Sequence, residues 1–221
     1  MNEKTWIQAA IDVMDINTAK EIALMSLDAG AEWLEVGTPL LYKYGHSAIG
    51  QIRKTVGDNV VLVADYKTPL SVLCAKQAKE EGADYLLVYG GYNDYVNKWN
   101  IEYCKEIGIT PIIDLQVRPD DMQVCIDRVF KFGASYFFTH HFNTYVDSSG
   151  KEIKVDALTD LHIPIEAKLG ITNDDFNDAI YCAQNGADWI IFGYVLRNPN
   201  KDVCKKWVMS IHNANEKRRI K

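Results

Sequence analysis

The feature that most limits the fold of this chain is a glycine signal that recurs at nearly constant spacing. Four glycines, each between an amphipathic stretch and an apolar run, stand 51 to 53 residues apart: Gly30, Gly82, Gly133 and Gly186. Such a glycine is typical of the left-handed position after a helix, and the apolar run that follows it indicates a buried strand. Gly57 and Gly108 fall about midway between members of this series. The repeating unit is therefore one strand plus one helix of roughly 25 residues.

Eight apolar runs fit this spacing and are predicted to be strands. They are Trp6–Asp12, Trp33–Val36, Val60–Asp65, Tyr85–Tyr89, Thr110–Leu115, Tyr136–His140, Pro164–Lys168 and Trp189–Phe192. Most show little polar alternation, as expected for parallel strands that are covered on both faces. Helical patterns fill the gaps, and the absence of a long linker favours a closed barrel over an open doubly wound sheet. The length of 221 residues suits one such barrel, and we predict a single (β/α)8 TIM-barrel domain over residues 1–221.

Composition argues against several classes of partner and location. Hydrophobic residues make up 48% and charged residues 24% of the chain, which is ordinary for a globular protein. The net charge is −6 and the basic residues form no long stripe, so neither a nucleic acid nor a membrane is expected as a partner. The five cysteines are odd in number and form no C-x-x-C pair, which indicates reduced thiols. With no signal-peptide pattern and no apolar run long enough to cross a bilayer, we expect a cytoplasmic protein.

Polar residues interrupt the apolar runs at the predicted strand ends, where barrels of this type carry their active sites. The candidates are Asp12, Glu35, Asp65, Lys67, Asp114, Lys168 and one of the pair His140 and His141. Several carboxylates with a lysine among them can hold a hard divalent cation and stabilise an oxyanion. Each residue also has a structural alternative. Asp12 or Asp114 could cap the next helix, and either histidine could be a structural side chain.

Three segments at the first predicted strands, WIQAAID, LEVGTPL and VLVADYK, resemble the orotidine monophosphate decarboxylase superfamily. The string E-V-G-T-P-L is similar to one branch of it, the 3-hexulose-6-phosphate synthases and 3-keto-L-gulonate-6-phosphate decarboxylases. The likeness continues through IIDL at the fifth strand, through His140-His141 followed by Ser149-Gly150-Lys151, and through GADWIIFG at the eighth. It therefore covers nearly the whole chain in unbroken order.

The resemblance implies a homodimeric barrel with active sites near the subunit interface, acting on a sugar phosphate through a magnesium-stabilised enediolate. By match to the family pattern, Glu35 and Asp65 would bind Mg²⁺ and Lys67 would stabilise the enediolate. Asp12 would orient the substrate or the lysine, and His141 aligns with a histidine that delivers or accepts a proton. This chemistry is sensible, because an enediolate carries negative charge that a divalent cation and an ammonium group can stabilise together.

The chain departs from the family pattern after the third strand. The family signature D-x-K-x-x-D here reads Asp65-Tyr66-Lys67-Thr68-Pro69-Leu70. In relatives the last acid reaches across the dimer interface and adjoins the lysine and the substrate. Leu70 removes a charge and a hydrogen-bond partner from a crowded electrostatic network, which puts the usual reaction in doubt.

The phosphate site implied by the resemblance is altered as well. The family's A-G-G-I after the seventh strand appears as Lys168-Leu169-Gly170-Ile171, and G-R-x-I after the eighth appears as Gly193-Tyr194-Val195-Leu196. One glycine and a phosphate-binding arginine are therefore missing, and Lys168 or Arg197 could replace that arginine. The candidate substrate or phosphate residues are Lys168, Gly170, Gly193, Tyr194 and Arg197.

Three functions follow from these observations. The first is a magnesium-dependent lyase of carbohydrate metabolism that makes or breaks a carbon–carbon bond beside a ketose carbonyl. Within it, an aldolase that joins ribulose 5-phosphate to formaldehyde is favoured over a decarboxylase, because Thr144 stands where the gulonate decarboxylases have an arginine. The second is a diverged, non-catalytic member that binds a sugar or metabolite and regulates or scaffolds a partner. The third, a sugar-phosphate epimerase, is disfavoured because only one histidine cluster is present.

Four tyrosines near the predicted strand ends bear on the substrate: Tyr66, Tyr89, Tyr145 and Tyr194. They could line a pocket for an unphosphorylated or differently placed sugar. They could equally pack beneath loops.

Overall fold

Eight parallel strands close into a barrel in the computed structural model, which describes residues 4–67, 71–118, 121–146, 149–194, 196 and 200–218. The strands are β1 (Trp6–Ile11), β2 (Trp33–Val36), β3 (Val61–Ala64), β4 (Tyr85–Tyr89), β5 (Thr110–Asp114), β6 (Tyr136–His140), β7 (Phe142–Val146), β8 (Glu152–Asp156), β9 (Lys168–Thr172) and β10 (Trp189–Phe192). All but β7 and β8 belong to the barrel, and β10 pairs with β1 to close it. The predicted (β/α)8 TIM barrel is confirmed.

Helices on the outside follow every barrel strand except β6, after which the described residues form the β7–β8 hairpin and a turn. The helices are α1 (Ile16–Ala29), α2 (Thr38–Tyr44), α3 (Ser47–Val56), α4 (Ser71–Glu80), α5 (Asp94–Glu106), α6 (Met122–Lys131), α7 (Phe176–Asn185) and α8 (Lys201–Arg218). The glycine repeat has the predicted physical basis. Gly30, for example, follows α1 with a φ of 104°, and its N–H donates to the carbonyl of Leu27. No helix among the described residues is long and apolar enough to span a membrane.

Alternate residues of the strands fill the barrel interior. One buried cluster consists of Ala10, Trp33, Val63, Leu87, Ile112, Phe138, Trp189 and Ile191. At the amino-terminal end of the strands, the rings of Trp6, Trp33 and Tyr85 stack on one another with centroids 4.6 to 5.3 Å apart. The interior is therefore a packed core. Barrels of this fold carry their active sites at the opposite, carboxyl-terminal end of the strands, here called the mouth.

The seventh barrel strand is displaced from its predicted position. The sequence predicts Pro164–Lys168, whereas β9 covers Lys168–Thr172, so this prediction is wrong by four residues. The carbonyl of Pro164 accepts the N–H of Ala167 in a turn, and the Ile165 side chain is 95% exposed. The apolar run before β9 therefore lies in a turn at the surface and is not part of the barrel. As a consequence, Lys168 begins the strand instead of ending it.

The β7–β8 hairpin is an insertion that the sequence analysis does not predict. The two strands are antiparallel, from Phe142 opposite Asp156 to Val146 opposite Glu152. The hairpin begins at the carboxyl-terminal end of β6, and the N–H of Ala157 returns to donate to the carbonyl of His141. It therefore lies next to the mouth.

Candidate active site

The strand ends bring a ring of polar side chains together at the mouth. Two positions after the interior residues Ala10, Trp33, Val63, Ile112 and Phe138 come Asp12, Glu35, Asp65, Asp114 and His140. Because side chains alternate between the two faces of a strand, these five residues face the barrel axis, as the interior residues do. The mouth therefore carries four acids and an imidazole, and Lys67 follows two positions beyond Asp65.

Three of the acids form a tight cluster. Asp12, Glu35 and Asp65 each offer a carboxylate oxygen, and these oxygens lie within 4.8 Å of one another. The side chains of Glu35 and Asp65 are buried. Gln8 Nε2 donates to Glu35 Oε2 at 2.5 Å, and Thr38 Oγ1 donates to Asp65 Oδ2 at 2.8 Å. Both buried carboxylates are thus held in place by a neutral donor.

The position of Asp12 explains Gly37, the glycine of the E-V-G-T-P-L string. A Cβ at residue 37 would lie 2.2 Å from Asp12 Oδ1 and 2.8 Å from the carbonyl oxygen of Ile11. The backbone of Ile11 and the carboxylate of Asp12 cannot both move far enough to accommodate such an atom. The end of β2 can therefore approach Asp12 only because residue 37 has no side chain.

Lys67 joins this cluster through an ion pair. Its Nζ lies 3.0 Å from Asp65 Oδ2 and 5.9 Å from the centroid of the Phe138 ring. Its φ is 44°, and it is the one non-glycine residue with a positive φ among those the structure describes. This conformation is unfavourable for a side chain other than glycine. Backbone strain of this kind is found at functional sites.

Crowding of charge shifts several pKa values. Burial raises the pKa of Glu35 well above its usual value, and the carboxylates of Asp65 and Asp12 raise it further. Burial also raises the pKa of Asp114 to about 6. Burial alone would lower the pKa of Lys67, but the carboxylates of Asp65, Glu35 and Asp114 outweigh it and raise that pKa. The acids thus repel one another, and one lysine does not remove the repulsion.

The donor set of the three acids fits a hard divalent cation. Asp65 Oδ1 is buried and accepts no hydrogen bond from the described residues, so it is available as a ligand. Mg²⁺ prefers oxygen ligands and is typically bound through one or two carboxylates, with waters and substrate oxygens completing its coordination. Glu35 and Asp65 can provide such a pair, and Asp12 is close enough to be a third ligand. A cation here would also relieve the repulsion between the acids.

The two histidines at the end of β6 face opposite ways. His140 faces the mouth, and burial and the charge of Lys67 lower its pKa. His141 faces the surrounding helices and is 3% exposed. Its Nδ1 lies 2.8 Å from Asp178 Oδ1 on α7, and its Nε2 lies 3.4 Å from Asp156 Oδ1 at the end of the hairpin. The structure therefore places His140 at the mouth, and not His141, the predicted catalytic residue.

Two of the predicted phosphate residues lie away from the mouth. Lys168 is at the amino-terminal end of the barrel, where its Nζ is 3.4 Å from Asp188 Oδ1 and 6.0 Å from the centroid of the Trp6 ring. Gly170 is in the middle of β9, where a Cβ would lie 2.1 Å from the ring of Trp189. Its glycine is needed for core packing. Neither residue therefore lies where a phosphate bound at the mouth would contact it.

Gly193 and Tyr194 do lie at the mouth, directly after β10, but their N–H groups already have an acceptor. Asp174, the second residue after β9, accepts both N–H groups through Oδ1 at 3.0 Å each. Asp174 is not among the predicted site residues, because the predicted seventh strand ends before it, at Lys168. Leu70 and Arg197 lie outside the described residues.

Two of the four tyrosines singled out above lie at the mouth. Tyr89 follows two positions after the interior residue Leu87, and Tyr194 follows β10. Tyr66 is buried and its hydroxyl contacts Nδ1 of His46. Tyr145 lies on the hairpin, where its ring faces the guanidinium group of Arg118. A pocket formed by all four tyrosines is therefore excluded.

Comparison with curated proteins agrees with the sequence resemblance. The bifunctional enzyme Fae/Hps of Methanosphaerula palustris is 28% identical over 120 residues, which are 54% of this chain and 30% of that protein. The 3-hexulose-6-phosphate synthase of Staphylococcus aureus strain bovine RF122 is 27% identical over 135 residues, 61% of this chain and 63% of that protein. The matches thus span less than two thirds of these relatives. No model of a known protein family matches the chain.

Solved structures share the fold over nearly the whole chain. A 3-hexulose-6-phosphate synthase from Salmonella typhimurium has a TM-score of 0.77 at 20% identity and covers 97% of this chain and 100% of its own. KGPDC from Streptococcus mutans has a TM-score of 0.77 at 16% identity, with 95% and 98% covered. An orotidine 5'-phosphate decarboxylase from Pyrococcus horikoshii has a TM-score of 0.70 at 19% identity, with 95% and 99% covered. These likenesses, at 20% identity or less, show that the chain shares the fold of these proteins.

Proposed function

We propose that this chain is a magnesium-dependent lyase that makes or breaks a carbon–carbon bond next to the carbonyl of a ketose, by way of an enediolate. The observation that carries the proposal is the convergence of three carboxylates and the Lys67 ammonium group at the mouth of the barrel. The similarity to 3-hexulose-6-phosphate synthases and to KGPDC supports the same class of reaction. Within it, we favour an aldolase that joins a ketose of the ribulose type to formaldehyde over a decarboxylase, because Thr144 is not an arginine.

Lys67 and the acids would bind and polarise the ketose. A magnesium ion held by Glu35 and Asp65 supplies positive charge beside the substrate oxygens when it is bound. Lys67 adds an ammonium charge at the same place, and its raised pKa keeps it protonated at neutral pH. Fixed positive charge of this kind stabilises the negative charge that develops on the enediolate. Asp12 would orient the substrate or Lys67.

We propose His140 as the group that takes a proton from the ketose, in place of His141. Its lowered pKa leaves the imidazole neutral near neutral pH, so it can accept a proton. Removal of a proton from the C1 hydroxymethyl group leaves the 1,2-enediolate. C1 then forms a bond to the carbon of formaldehyde, and the formaldehyde oxygen takes up a proton and becomes the new hydroxyl group.

We further propose that the protein acts as a homodimer in the cytoplasm on a small-molecule sugar. The reducing compartment is supported by five cysteines that form no disulfide with one another. The dimer is supported by the resemblance and by exposed apolar side chains on α2, α4 and α5.

The direct test is solvent deuterium exchange at C1 of ribulose and of ribulose 5-phosphate, followed by proton NMR with and without Mg²⁺. Because no formaldehyde is present, the exchange reports on enediolate formation alone. We expect magnesium-dependent exchange in the wild type and a loss of roughly 100-fold or more in Lys67→Ala and His140→Gln. His162→Gln, in the loop before β9, is the matched control and should exchange like the wild type.

Addition of formaldehyde should then consume whichever ketose exchanges. If a folded protein that binds Mg²⁺ exchanges neither ketose, the lyase proposal fails. A regulatory or scaffolding role would then be the better explanation.

A further inference from the structure

The ends of β9 and β10 hold a carboxylate at a place where barrels of this fold commonly hold phosphate. β9 and β10 are the seventh and eighth strands of the barrel. In (β/α)8 barrels, the loops after these two strands frequently form a phosphate site, in which backbone N–H groups bind the anion. Here the N–H groups of Gly193 and Tyr194 both donate to Asp174 Oδ1 at 3.0 Å. The anion that these N–H groups bind is therefore the side-chain carboxylate of Asp174.

A substrate phosphate would meet two obstacles at this position. It would have to displace the carboxylate from both N–H donors, and it would then lie beside a like charge. Two like charges about 4 Å apart repel each other even in water, and more strongly at a protein surface. An uncharged hydroxyl group meets neither obstacle, because it can donate a hydrogen bond to the carboxylate without displacing it.

Two polar atoms near this position, Asp174 Oδ2 and Thr172 Oγ1, also favour a hydroxyl group over a phosphate. Asp174 is exposed, and its Oδ2 faces Gly193, where an added Cβ would lie only 3.4 Å away. The exposed Asp174 carboxylate is therefore open to a ligand at the mouth, with no side chain of residue 193 against it. Thr172 Oγ1 is buried and has no hydrogen-bond partner among the described residues. Thr172 pairs with His140 of β6 on one side and with Ile191 of β10 on the other. It therefore lies beside His140 and two residues before Asp174.

We propose that the substrate is an unphosphorylated ketose, or one phosphorylated elsewhere, whose terminal hydroxyl group binds at Asp174. Asp174 is then the specificity-determining residue of the site, and it selects a hydroxyl against a phosphate at this end. This inference rests on the proposed function in one respect only, namely that the ligand is a ketose. The exclusion of phosphate by Asp174 stands on the geometry alone.

The test compares the affinities of ribulose and ribulose 5-phosphate, by calorimetry with Mg²⁺, for the wild type, Asp174→Ala and Asp174→Asn. We expect the wild type to bind ribulose at least as tightly as ribulose 5-phosphate. Asp174→Ala should bind ribulose 5-phosphate about tenfold more tightly than the wild type does, because the charge is removed and two N–H donors become available. It should bind ribulose less tightly. Asp174→Asn keeps an acceptor for both N–H groups. It should therefore bind ribulose 5-phosphate more tightly than the wild type does, but only by the part of the gain that comes from removing the charge.

A second measurement separates this inference from the proposed function. Binding of inorganic phosphate is followed by phosphorus NMR without magnesium, in the same variants and in Asp58→Asn, which removes a negative charge from an exposed turn before β3. We expect phosphate to bind to Asp174→Ala and not to the wild type or to Asp58→Asn. If no form binds either ketose, the ketose assignment fails and the phosphate result still decides the role of Asp174. Wild-type protein that binds phosphate as tightly as Asp174→Ala, or that binds ribulose 5-phosphate tenfold more tightly than ribulose, would overturn the inference.

Discussion

Asp114 shows how single ionisable side chains at the mouth oppose folding. Its carboxyl group is buried, and burial raises its pKa to about 6, opposed by a backbone N–H donor and by Lys67. Above that pH the folded protein contains a buried charge that the unfolded chain keeps in water. Below roughly pH 4 the carboxyl group is neutral in both states. The contribution of Asp114 to the free energy of unfolding is therefore complete in acid and is lost as the pH rises through 6.

We expect Asp114→Asn to raise the free energy of unfolding above pH 6, by up to about 3 kcal/mol, and to leave it nearly unchanged below pH 4. The amide can still accept the N–H of Gln116 that Asp114 Oδ1 accepts at 2.8 Å. Urea unfolding without magnesium, at both ends of this pH range, measures the effect. An equal gain at both pH values would show that the cause is not ionisation of Asp114.

Lys67 combines a required charge with an unfavourable backbone conformation. We expect Lys67→Ala and Lys67→Gly both to lose enediolate formation. The glycine variant should nevertheless be about 1 kcal/mol more stable than the alanine variant, because glycine adopts a positive φ without strain. Lys98, an exposed residue of α5, gives the matched pair. There the order should reverse, because alanine favours a helix by about 1 kcal/mol over glycine. Equal stability of the two Lys67 variants would contradict strain at this position.

The acids of the mouth could be predicted from the sequence, whereas the histidine could not be assigned to a face. Asp12, Glu35 and Asp65 are the charged residues at or next to the ends of otherwise largely apolar runs. Two adjacent histidines follow a run of aromatic residues in β6, and such a run has no polar alternation that distinguishes the two faces of the strand. The contacts of His141 with Asp178 and Asp156 come from α7 and the hairpin, and these depend on tertiary packing.

At the scale of elements, the position of β9 decides the interpretation of Gly170. The family resemblance implies a phosphate loop at this glycine, but β9 places it in the barrel interior against Trp189. The misplacement has a physical cause, since an apolar run containing Pro164 and Ile165 resembles a strand although it lies in a turn. A shift of four residues carries Lys168 from the mouth to the other end of the barrel.

Gly170→Ala should therefore lower the free energy of unfolding by about 2 kcal/mol or more, because the added methyl group overlaps the Trp189 ring. Its effect should be much smaller in a Trp189→Leu background, where the indole is absent. Urea unfolding of the two single variants and the double variant gives the coupling energy between the sites. Independent, additive effects would contradict packing as the reason for this glycine.

At the scale of the whole molecule, the barrel follows from local rules repeated along the chain. Seven of the eight barrel strands lie within one residue of their predicted bounds at each end, because buried parallel strands are continuous apolar runs. The β7–β8 hairpin contains no such run, since every residue of its two strands is exposed or half-buried. The organisation of residues 1–221 as one domain stays a prediction.

Apolar residues on the surface indicate where the interface of the proposed dimer would form. Four large side chains on α2, α4 and α5 are exposed in the single chain: Tyr42, Leu73, Tyr95 and Trp99. These helices belong to adjacent strand–helix units, and α4 begins soon after Lys67. Exposed apolar side chains on neighbouring elements are typical of a protein–protein interface.

We expect sedimentation velocity to show a dimer for the wild type and a shift towards monomer for Tyr95→Glu, which places a charge in the interface. The substitution lies in the first turn of α5, where an acid is favourable for the helix, so it should not unfold the protein. Met209→Glu on α8 is the matched control, since Met209 is also exposed and α8 follows β10, opposite β4 in the barrel. A wild-type monomer, or equal behaviour of the two variants, would exclude an interface at this surface.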